Sequence, residues 1–402
     1  LPDAAELDGM DDADALAVYE AFQTACDAYY DTLTEGQQAQ LKNTEKLAAL
    51  SDWFSQPETL ATGEHRNHCV CGATHNNIGD HTAESQITFN KWLASTASRG
   101  YTLDVGGAGH STDGDGQTLD SNNKYVLPAD NLSADNYYLK GDVKVEHPIQ
   151  IKGDVTICLN GHTIQSKAKN QPVFEVVSGS TLTLTDCQGN KGEVTHFSDG
   201  TGCGVEVNGG KFNLYGGSIS GNTADNGGGV YVKSTNSTFT MNDKASITGN
   251  TAKNGGGVYV NTGSQFNMNG NASIKSNIGN GVCVSDRATF TVSDTPTVTG
   301  NTMNKDDSNV YLNGGAYITI GKFGLTDGAS IGVTKTVDSG VIAKNVSADY
   351  SGKFFSDNST YVVKHDAANK QLVLAEKSQT HTHSYNENTW STSASEQTTL
   401  HR

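Results

Sequence analysis

The fold is decided by a stretch that occurs twice. Residues 218–232 read SISGNTADNGGGVYV, and residues 246–260 read SITGNTAKNGGGVYV, so the second copy begins 28 residues after the first. Self-similarity at a spacing of this size predicts structural repeats that stack on one another.

Hydrophobic triplets extend the repeat to both sides of these copies. They are VEV 205–207, VYV 230–232, VYV 258–260, VCV 282–284 and VYL 310–312. A second set follows them, FNL 212–214, FTM 239–241, FNM 266–268 and FTV 290–292, and a third apolar position comes later, at Ile219, Ile247, Ile274 and Val298. Because alternate residues of a strand face opposite sides, each coil offers three short strands with one buried face.

Two architectures fit such strands. The NG dipeptides at 226–227, 254–255 and 280–281 could close hairpins and give an antiparallel meander. A meander, however, has no reason to restore one side chain at one place in every repeat. Here asparagine returns three residues after the third apolar position, at Asn222, Asn250, Asn277 and Asn301. Parallel coils stacked at about 4.8 Å would let these amides hydrogen-bond in a ladder. We therefore predict a mainly β protein with a right-handed parallel β-helix over residues 135–375.

The segment before the repeats has a helical pattern. Its apolar positions step by three or four residues, at Leu16, Tyr19, Phe22, Cys26, Tyr30 and Leu33. TEGQ at 34–37 is typical of a capping box, and a second helical pattern follows it. We expect a small N-terminal α-helical hairpin over residues 1–58, which must pack on another part of the chain because it is too small to be stable alone.

Residues 59–100 form a His/Cys-rich connecting segment. Nitrogen and sulfur ligands in a tetrahedron are what zinc prefers. The preferred ligands are Cys69, Cys71, His75 and His81, with His68 as the substitute. A Cys–Cys pair, free thiols and solvated surface histidines remain alternatives. The segment lacks a His-Glu-x-x-His arrangement, so the zinc, the only cofactor expected, would be structural.

The remaining regions are polar. Residues 101–134 are expected to be a linker, and residues 376–402 a truncated His-containing tail. Cys158, Cys187 and Cys203 are expected to behave as small buried hydrophobes, with a Cys187–Cys203 bridge as an alternative outside the cell.

Composition limits the partners. The 402 residues include 44 acidic and 27 basic side chains, a formal net charge of −17. Nucleic acid is excluded as a partner, since phosphate binding needs clustered Lys and Arg. Membrane insertion is also excluded because no run approaches about 18 apolar residues. The chain opens without Met or a secretory leader, which suggests a fragment or a mature product.

GGGVYV together with SGNTA resembles the repeat of polymorphic outer-membrane proteins and other β-helical adhesins, in the pectate-lyase-like superfamily. The string from YYLKGDVKV (137–145) to GGGVYV (227–232) is similar to a module of large surface proteins of Gram-positive gut bacteria. In those proteins it often follows a segment like HCVCG…GDHT (68–82). The resemblance implies a secreted or cell-surface location beside other domains of a larger protein. It leaves the activity open, because the superfamily contains lyases, glycoside hydrolases and adhesins.

The middle residue of each triplet should point outward. Glu206, Tyr231, Tyr259, Cys283 and Tyr311 would then form a stripe across successive coils. Exposed tyrosines on a rigid sheet can bind the apolar faces of sugars, so Tyr231, Tyr259 and Tyr311 are the predicted ligand-binding residues. The alternative is that the helical hairpin covers this stripe.

An enzymatic function is an alternative to glycan recognition. Asp199 and Glu206 are the candidate carboxyl pair of a glycoside hydrolase. A lyase would need a carboxylate cluster beside a basic residue, and Arg287 is the only arginine of the coils. The leading hypothesis is adhesion to or recognition of host or dietary glycans or glycoproteins. A carbohydrate-active enzyme and a passive stalk are the alternatives.

Overall fold

The computed structural model describes residues 131–335 and 340–377, and before them short strands between residues 65 and 119 and two helical positions, Ala21 and Ala25. The described chain is mainly β and winds as a parallel solenoid of about eight turns, which confirms the predicted fold class. The rest of the expected hairpin at 1–58 and the tail after residue 377 lie outside the described residues. Among the described residues, no helix is long and apolar enough to cross a bilayer.

Three parallel sheets run along the solenoid, and each coil contributes one strand to each sheet. Two long strands bend from sheet A into sheet B: Asn131–Leu139 and Ile149–Cys158. A third, Ser330–Lys335, is shared by sheets C and A. The other strands of sheet A carry the hydrophobic triplets: Phe174–Val177, Val205–Asn208, Val230–Val232, Val258–Val260, Val282–Val284 and Val310–Leu312.

Sheet B follows sheet A in each coil. Its strands are Lys91–Thr96, Thr181–Thr185, Lys211–Leu214, Thr238–Met241, Gln265–Met268, Thr289–Asp294, Ile318–Leu325 and Gly340–Lys344. Sheet C closes the coil. Its strands are Val143–Val145, Thr163–Ser166, Glu193–His196, Ser218–Ser220, Ser246–Thr248, Ser273–Lys275, Thr297–Thr299 and Phe354–Ser356.

Shorter pairings occur at the corners and ends. In the corner before sheet A, Thr223–Asn226 and Thr251–Asn254 pair in parallel, whereas Thr302–Met303 and Asp306–Asp307 pair antiparallel. At the C-terminal end, Gln371–Glu376 pairs antiparallel with both Gly340–Lys344 and Tyr361–Asp366, after a short 3-10 helix at Ser351–Lys353. In the N-terminal part, the antiparallel pairs are His65–Cys69 with Gln86–Phe89, Lys91–Thr96 with Thr102–Gly107, and Ser111–Thr112 with Thr118–Leu119.

The core consists of columns of like side chains inside the solenoid. Phe212, Phe239, Phe266 and Phe290 lie above one another, with ring centroids 5.0, 4.7 and 4.9 Å apart and nearly parallel planes. All of these rings are fully buried. Each contributes both its buried area and a stacking contact, so the column stabilises the register of sheet B.

The predicted asparagine ladder is confirmed. Asn222, Asn250, Asn277 and Asn301 are buried, and each of the first three donates through its backbone N–H and its Nδ2 to the Oδ1 of the next asparagine, at 2.9–3.0 Å. Every Nδ2 also donates to two backbone carbonyl oxygens of the corner. The ladder therefore satisfies polar groups that the corner would otherwise bury unpaired.

Different residues close the two ends of this ladder. At one end Nδ1 of the buried His196 lies 2.7 Å from Asn222 Oδ1, while its Nε2 lies 3.1 Å from the Gln171 carbonyl oxygen. At the other end Asn301 donates to Asn309, whose Nδ2 donates to Asp357 Oδ1 at 2.6 Å. Burial lowers the pKa of His196 and raises the pKa of Asp357.

The repeated GGG has a steric cause. Gly227 and Gly255 begin the turn in the left-handed region, at φ of 57° and 60°. A Cβ on Gly229 would lie 2.6 Å from both the carbonyl oxygen of Gly257 and the side chain of Ile247. The coils approach too closely here for a side chain, so glycine returns with each repeat.

Candidate functional site

The outer column of sheet A follows the predicted register. Glu206 lies opposite Tyr231, Tyr231 opposite Tyr259, Tyr259 opposite Cys283, and Cys283 opposite Tyr311. The flanking valines are buried and the tyrosines are half-buried, so the alternation of the triplets is as expected.

The column is not continuous, however. Tyr231 and Tyr259 stack with ring centroids 5.4 Å apart, and the Tyr259 hydroxyl accepts from Ser285 Oγ at 3.2 Å. Cys283 is buried, and burial raises its pKa to about 12. Its small side chain leaves Tyr311 apart from the stacked pair. Burial and the neighbouring Tyr259 raise the pKa of Tyr231, which keeps its phenol protonated and able to donate.

A groove of about 720 Å³ runs beside this column, along the corner that leads into sheet A. We call it the Tyr groove. Its lining includes Glu206, Asp225, Tyr231, Lys253, Ile278 and Met303. From the coil of Gln171 to that of Met303 it crosses five steps of about 4.8 Å, or roughly 24 Å. Its shape fits an extended chain molecule.

The surface of the Tyr groove combines apolar and polar groups. Ile278 and Met303, on neighbouring coils, are 58% and 37% exposed and give the groove an apolar part. Tyr231 adds an aromatic face on one side. Amides and hydroxyls of the corner, among them Thr223 and Asn226, line the same groove.

The charges of the Tyr groove are paired. Lys233 Nζ donates to Glu206 Oε1 at 2.9 Å, and this hydrogen bond raises the pKa of Lys233. Lys253 Nζ lies 2.7 Å from Asp225 Oδ1 at the exposed rim. Lys253 lines this groove and Lys233 pairs with its Glu206; each lysine has a carboxylate beside it, so the pairs offer little net charge to a ligand.

The two predicted catalytic carboxylates lie on different elements of the same coil. Glu206 lines the Tyr groove in its ion pair with Lys233, whereas Asp199 is exposed in the preceding turn and is not part of the lining. The pair stays a prediction.

A second groove, of about 530 Å³, lies on sheet B and was not predicted. We call it the Asp groove. Its lining includes Tyr215, Thr240, Asp243, Asp294, Lys322 and Phe323. Burial raises the pKa of Asp243 to about 6, and the nearby charge of Asp294 adds to the rise. Phe323 is 74% exposed at its edge.

A glycine lies in the coil between the two aspartates of this groove. Asp243, Gly270 and Asp294 follow the sheet B strands at the same place in three successive coils, all with positive φ. Gly270 N–H donates to Asp294 Oδ2 at 3.2 Å, and a Cβ on Gly270 would lie 2.9 Å from the Cα of Asp243. A signal for this site was present in the sequence. The same repeat position holds aspartate, glycine and aspartate in successive coils, in ND 242–243, NG 269–270 and SD 293–294.

The proposed zinc ligands lie mostly outside the described residues. Cys69 ends the strand His65–Cys69, which also contains His68, while Cys71, His75 and His81 are not described. Within the described part of the chain, no group of three or more His, Cys, Asp or Glu side chains is arranged to hold a metal ion. Apart from Ala21 and Ala25, the hairpin expected as a cover for the tyrosines also lies outside that part.

Comparison with protein-family models, with curated proteins and with solved structures finds no match for this chain.

Proposed function

We propose that this chain is an extracellular, surface-displayed β-solenoid module that binds extended glycans in the Tyr groove. The observation that carries the proposal is the shared groove of Glu206, Tyr231, Ile278 and Met303, which come from different coils. Aromatic and apolar groups between hydrogen-bonding side chains match the alternating apolar faces and hydroxyls of a sugar chain. The surface location rests on the resemblance of the repeats and of the string 137–232.

The charge arrangement favours a neutral glycan. An acidic polysaccharide would need cations that are not already neutralised, and Lys233 and Lys253 lie beside Glu206 and Asp225. The net charge of −17 also opposes the approach of a polyanion. We therefore expect neutral hexose or hexosamine chains of host or dietary origin, alone or on glycoproteins.

The test is an array of neutral and uronic acid glycans, followed by titration of the best ligand. Tyr231→Ala should weaken binding at least about tenfold because it removes the aromatic wall. Tyr259→Ala should weaken it less, through the loss of stacking on Tyr231. Tyr311→Ala is the matched control, since it removes the same side chain from the same column outside the groove. Equal binding by all three variants would contradict the proposal, and an array without any bound glycan would favour the passive stalk.

A second candidate function is glycoside hydrolysis in the Asp groove. It is favoured by the raised pKa of Asp243 beside Asp294, because hydrolysis needs one protonated and one ionised carboxyl group. Asp243 would be the acid, and Asp294 the base or nucleophile. Release of reducing ends from neutral and mucin-type glycans tests this. Activity lost in both Asp243→Asn and Asp294→Asn but kept in Tyr231→Ala would support it, whereas absence of activity in the wild type would reject it.

The zinc proposal is independent of both grooves. Zinc content measured by mass spectrometry should be close to one ion per chain and should fall in Cys69→Ser, with Cys283→Ser as the control. Equal zinc content in Cys69→Ser and Cys283→Ser would reject the zinc proposal.

A further inference from the structure

We propose that Cys158 and Cys187 form a redox pair that closes to an intramolecular disulfide linking two successive coils of the solenoid. The sulfur of Cys158 lies 3.5 Å from that of Cys187, to which its S–H donates. The sequence suggested a Cys187–Cys203 bridge as an alternative, whereas in the structure the sulfur that contacts Cys187 belongs to Cys158. A disulfide bond of about 2.05 Å requires the sulfurs to approach by about 1.5 Å.

The backbones of both cysteines are held in place. Cys158 is the last residue of the strand Ile149–Cys158 and lies opposite Thr185, the last residue of Thr181–Thr185. The next residue, Leu159, donates its N–H to the Thr185 carbonyl oxygen at 2.8 Å. Cys187 lies two residues beyond that point, so the pair joins neighbouring coils at the end of sheet B.

Asp186 fixes the turns around the pair. Its Oδ1 accepts from Gly161 N at 2.7 Å, and its Oδ2 accepts from Gly192 N at 2.8 Å. Asn160 reaches from the same turn to accept the S–H of Cys187 at 3.4 Å. The distance between the sulfurs is thus set by contacts on both coils.

The environments of the two sulfurs suggest the order of the chemistry. Cys187 is half-buried and can reach an external oxidant, whereas Cys158 is fully buried and packs with Tyr138. Burial raises the pKa of Cys158, and its contact with Cys187 adds to this. Cys187 would act first and Cys158 would resolve the intermediate.

The oxidant is a low-molecular-weight disulfide, written RSSR. The Cys187 thiolate attacks one sulfur of RSSR, and RS⁻ leaves to give a mixed disulfide. Cys158 then loses its proton and attacks the Sγ of Cys187, and a second RS⁻ leaves. The net reaction converts RSSR and two cysteine thiols into one protein disulfide and two RSH.

The disulfide would crosslink two coils that lack the repeated columns of phenylalanine and asparagine. The phenylalanine stack begins at Phe212 and the asparagine ladder at Asn222, so the coils of Cys158 and Cys187 lack both. The strand of Cys158 pairs on both sides, with Asn131–Leu139 and with Thr181–Thr185, so its coil is internal but lies near the N-terminal end of the solenoid. A crosslink between these coils would stabilise that end when the protein meets an oxidising environment.

The test treats the folded full chain with oxidised glutathione, blocks remaining thiols and maps peptides without reduction. We expect a crosslinked peptide that contains Cys158 and Cys187, and a melting temperature roughly 5–10 °C above that of the reduced protein. Cys283→Ser, which changes another buried thiol, should keep both effects. Cys187→Ser should lose both.

Two further outcomes decide the matter. Cys158→Ser should trap glutathione on Cys187, which supports the proposed order. If Cys158 and Cys187 stay separately alkylated in the oxidised wild type, or if Cys187 is linked to Cys203, the proposal is wrong. The wild-type peptide map needs no variant, so misfolding of a variant cannot obscure the answer.

Discussion

The inner and outer columns of the solenoid differ in how strictly they repeat. Inside, Phe239 lies beside Phe266 and Asn250 beside Asn277, and like side chains continue through successive coils. Outside, the equivalent column runs from Glu206 through Tyr231 and Tyr259 to Cys283 and Tyr311. Inner side chains must fit their neighbours at one coil spacing, whereas outer ones are free to vary.

This difference separates stability from binding. Changes in the inner columns should destabilise the protein strongly, because they remove close packing or leave buried polar groups unpaired. Changes in the outer columns should leave the fold intact and alter ligand binding or the response to pH.

Phe266→Ala should lower the free energy of unfolding by about 3–5 kcal/mol, because it opens a cavity and breaks two ring contacts. Phe323→Ala is the outer control, since that ring is largely exposed, and should change stability by less than about 0.5 kcal/mol. Urea unfolding measures the free energy of unfolding of both variants. Similar losses of stability in the two would contradict the distinction between inner and outer positions.

Asn250→Ala should cost about 2–4 kcal/mol, because its Oδ1 accepts from Asn222 and its Nδ2 donates to buried carbonyl oxygens. The control is Asn254→Ala, which removes an exposed amide whose Nδ2 donates to Asn226 Oδ1 at 2.9 Å at the surface of the corner, and it should be nearly neutral. Thermal unfolding measures both. A neutral Asn250→Ala would mean that the ladder does not stabilise the coils.

Asp243 gives the outer surface a pH dependence. Its pKa is about 6 in the folded state, above the unfolded value of about 3.9, so folding favours the protonated form. The stabilisation is fully present below about pH 4 and is lost as the pH rises through about 6. Asp243→Asn should reduce this decline in melting temperature between pH 4 and 7. An unchanged pH profile in the variant would contradict the assignment.

Lys233→Met should have the smallest effect on stability, less than about 1 kcal/mol, because Lys233 is partly exposed. It leaves the Glu206 carboxylate without its hydrogen-bonded cation in the Tyr groove. Binding of neutral glycans should therefore weaken while the melting temperature hardly moves, which titration and calorimetry can compare. A large loss of stability with unchanged glycan binding would contradict the proposal that outer residues serve binding and inner residues serve stability.

Much of the fold could be predicted because the inner columns repeat. Identical residues at the same repeat position, such as Asn222 and Asn250, indicate coils that lie over one another, and the structure confirms the parallel register. The end of the ladder could not be predicted in this way. Asp357 lies 48 residues after its partner Asn309, beyond any repeat.

The sites were harder to predict because they depend on contacts between unlike residues. Asp243 and Asp294 line one groove although they lie two coils apart, and Gly270, in the coil between them, has no side chain. Cys158 and Cys187 lie in coils that carry little of the repeat, so spacing gave no reason to pair them. Tyr231 was found because it belongs to a repeated triplet, but its groove is built from corner residues without such a pattern.

The most direct test of the central claim is the deletion of one whole coil. Val230 lies opposite Val258, so removing residues 230–257 joins Gly229 to an equivalent valine and keeps every inner column aligned. The thermal unfolding of this variant should remain cooperative, with a β-sheet circular dichroism spectrum like that of the wild type. A deletion of half as many residues from the same starting point should prevent folding. If the whole-coil deletion unfolds the protein as completely as the half-coil deletion does, stacked inner columns do not determine this fold.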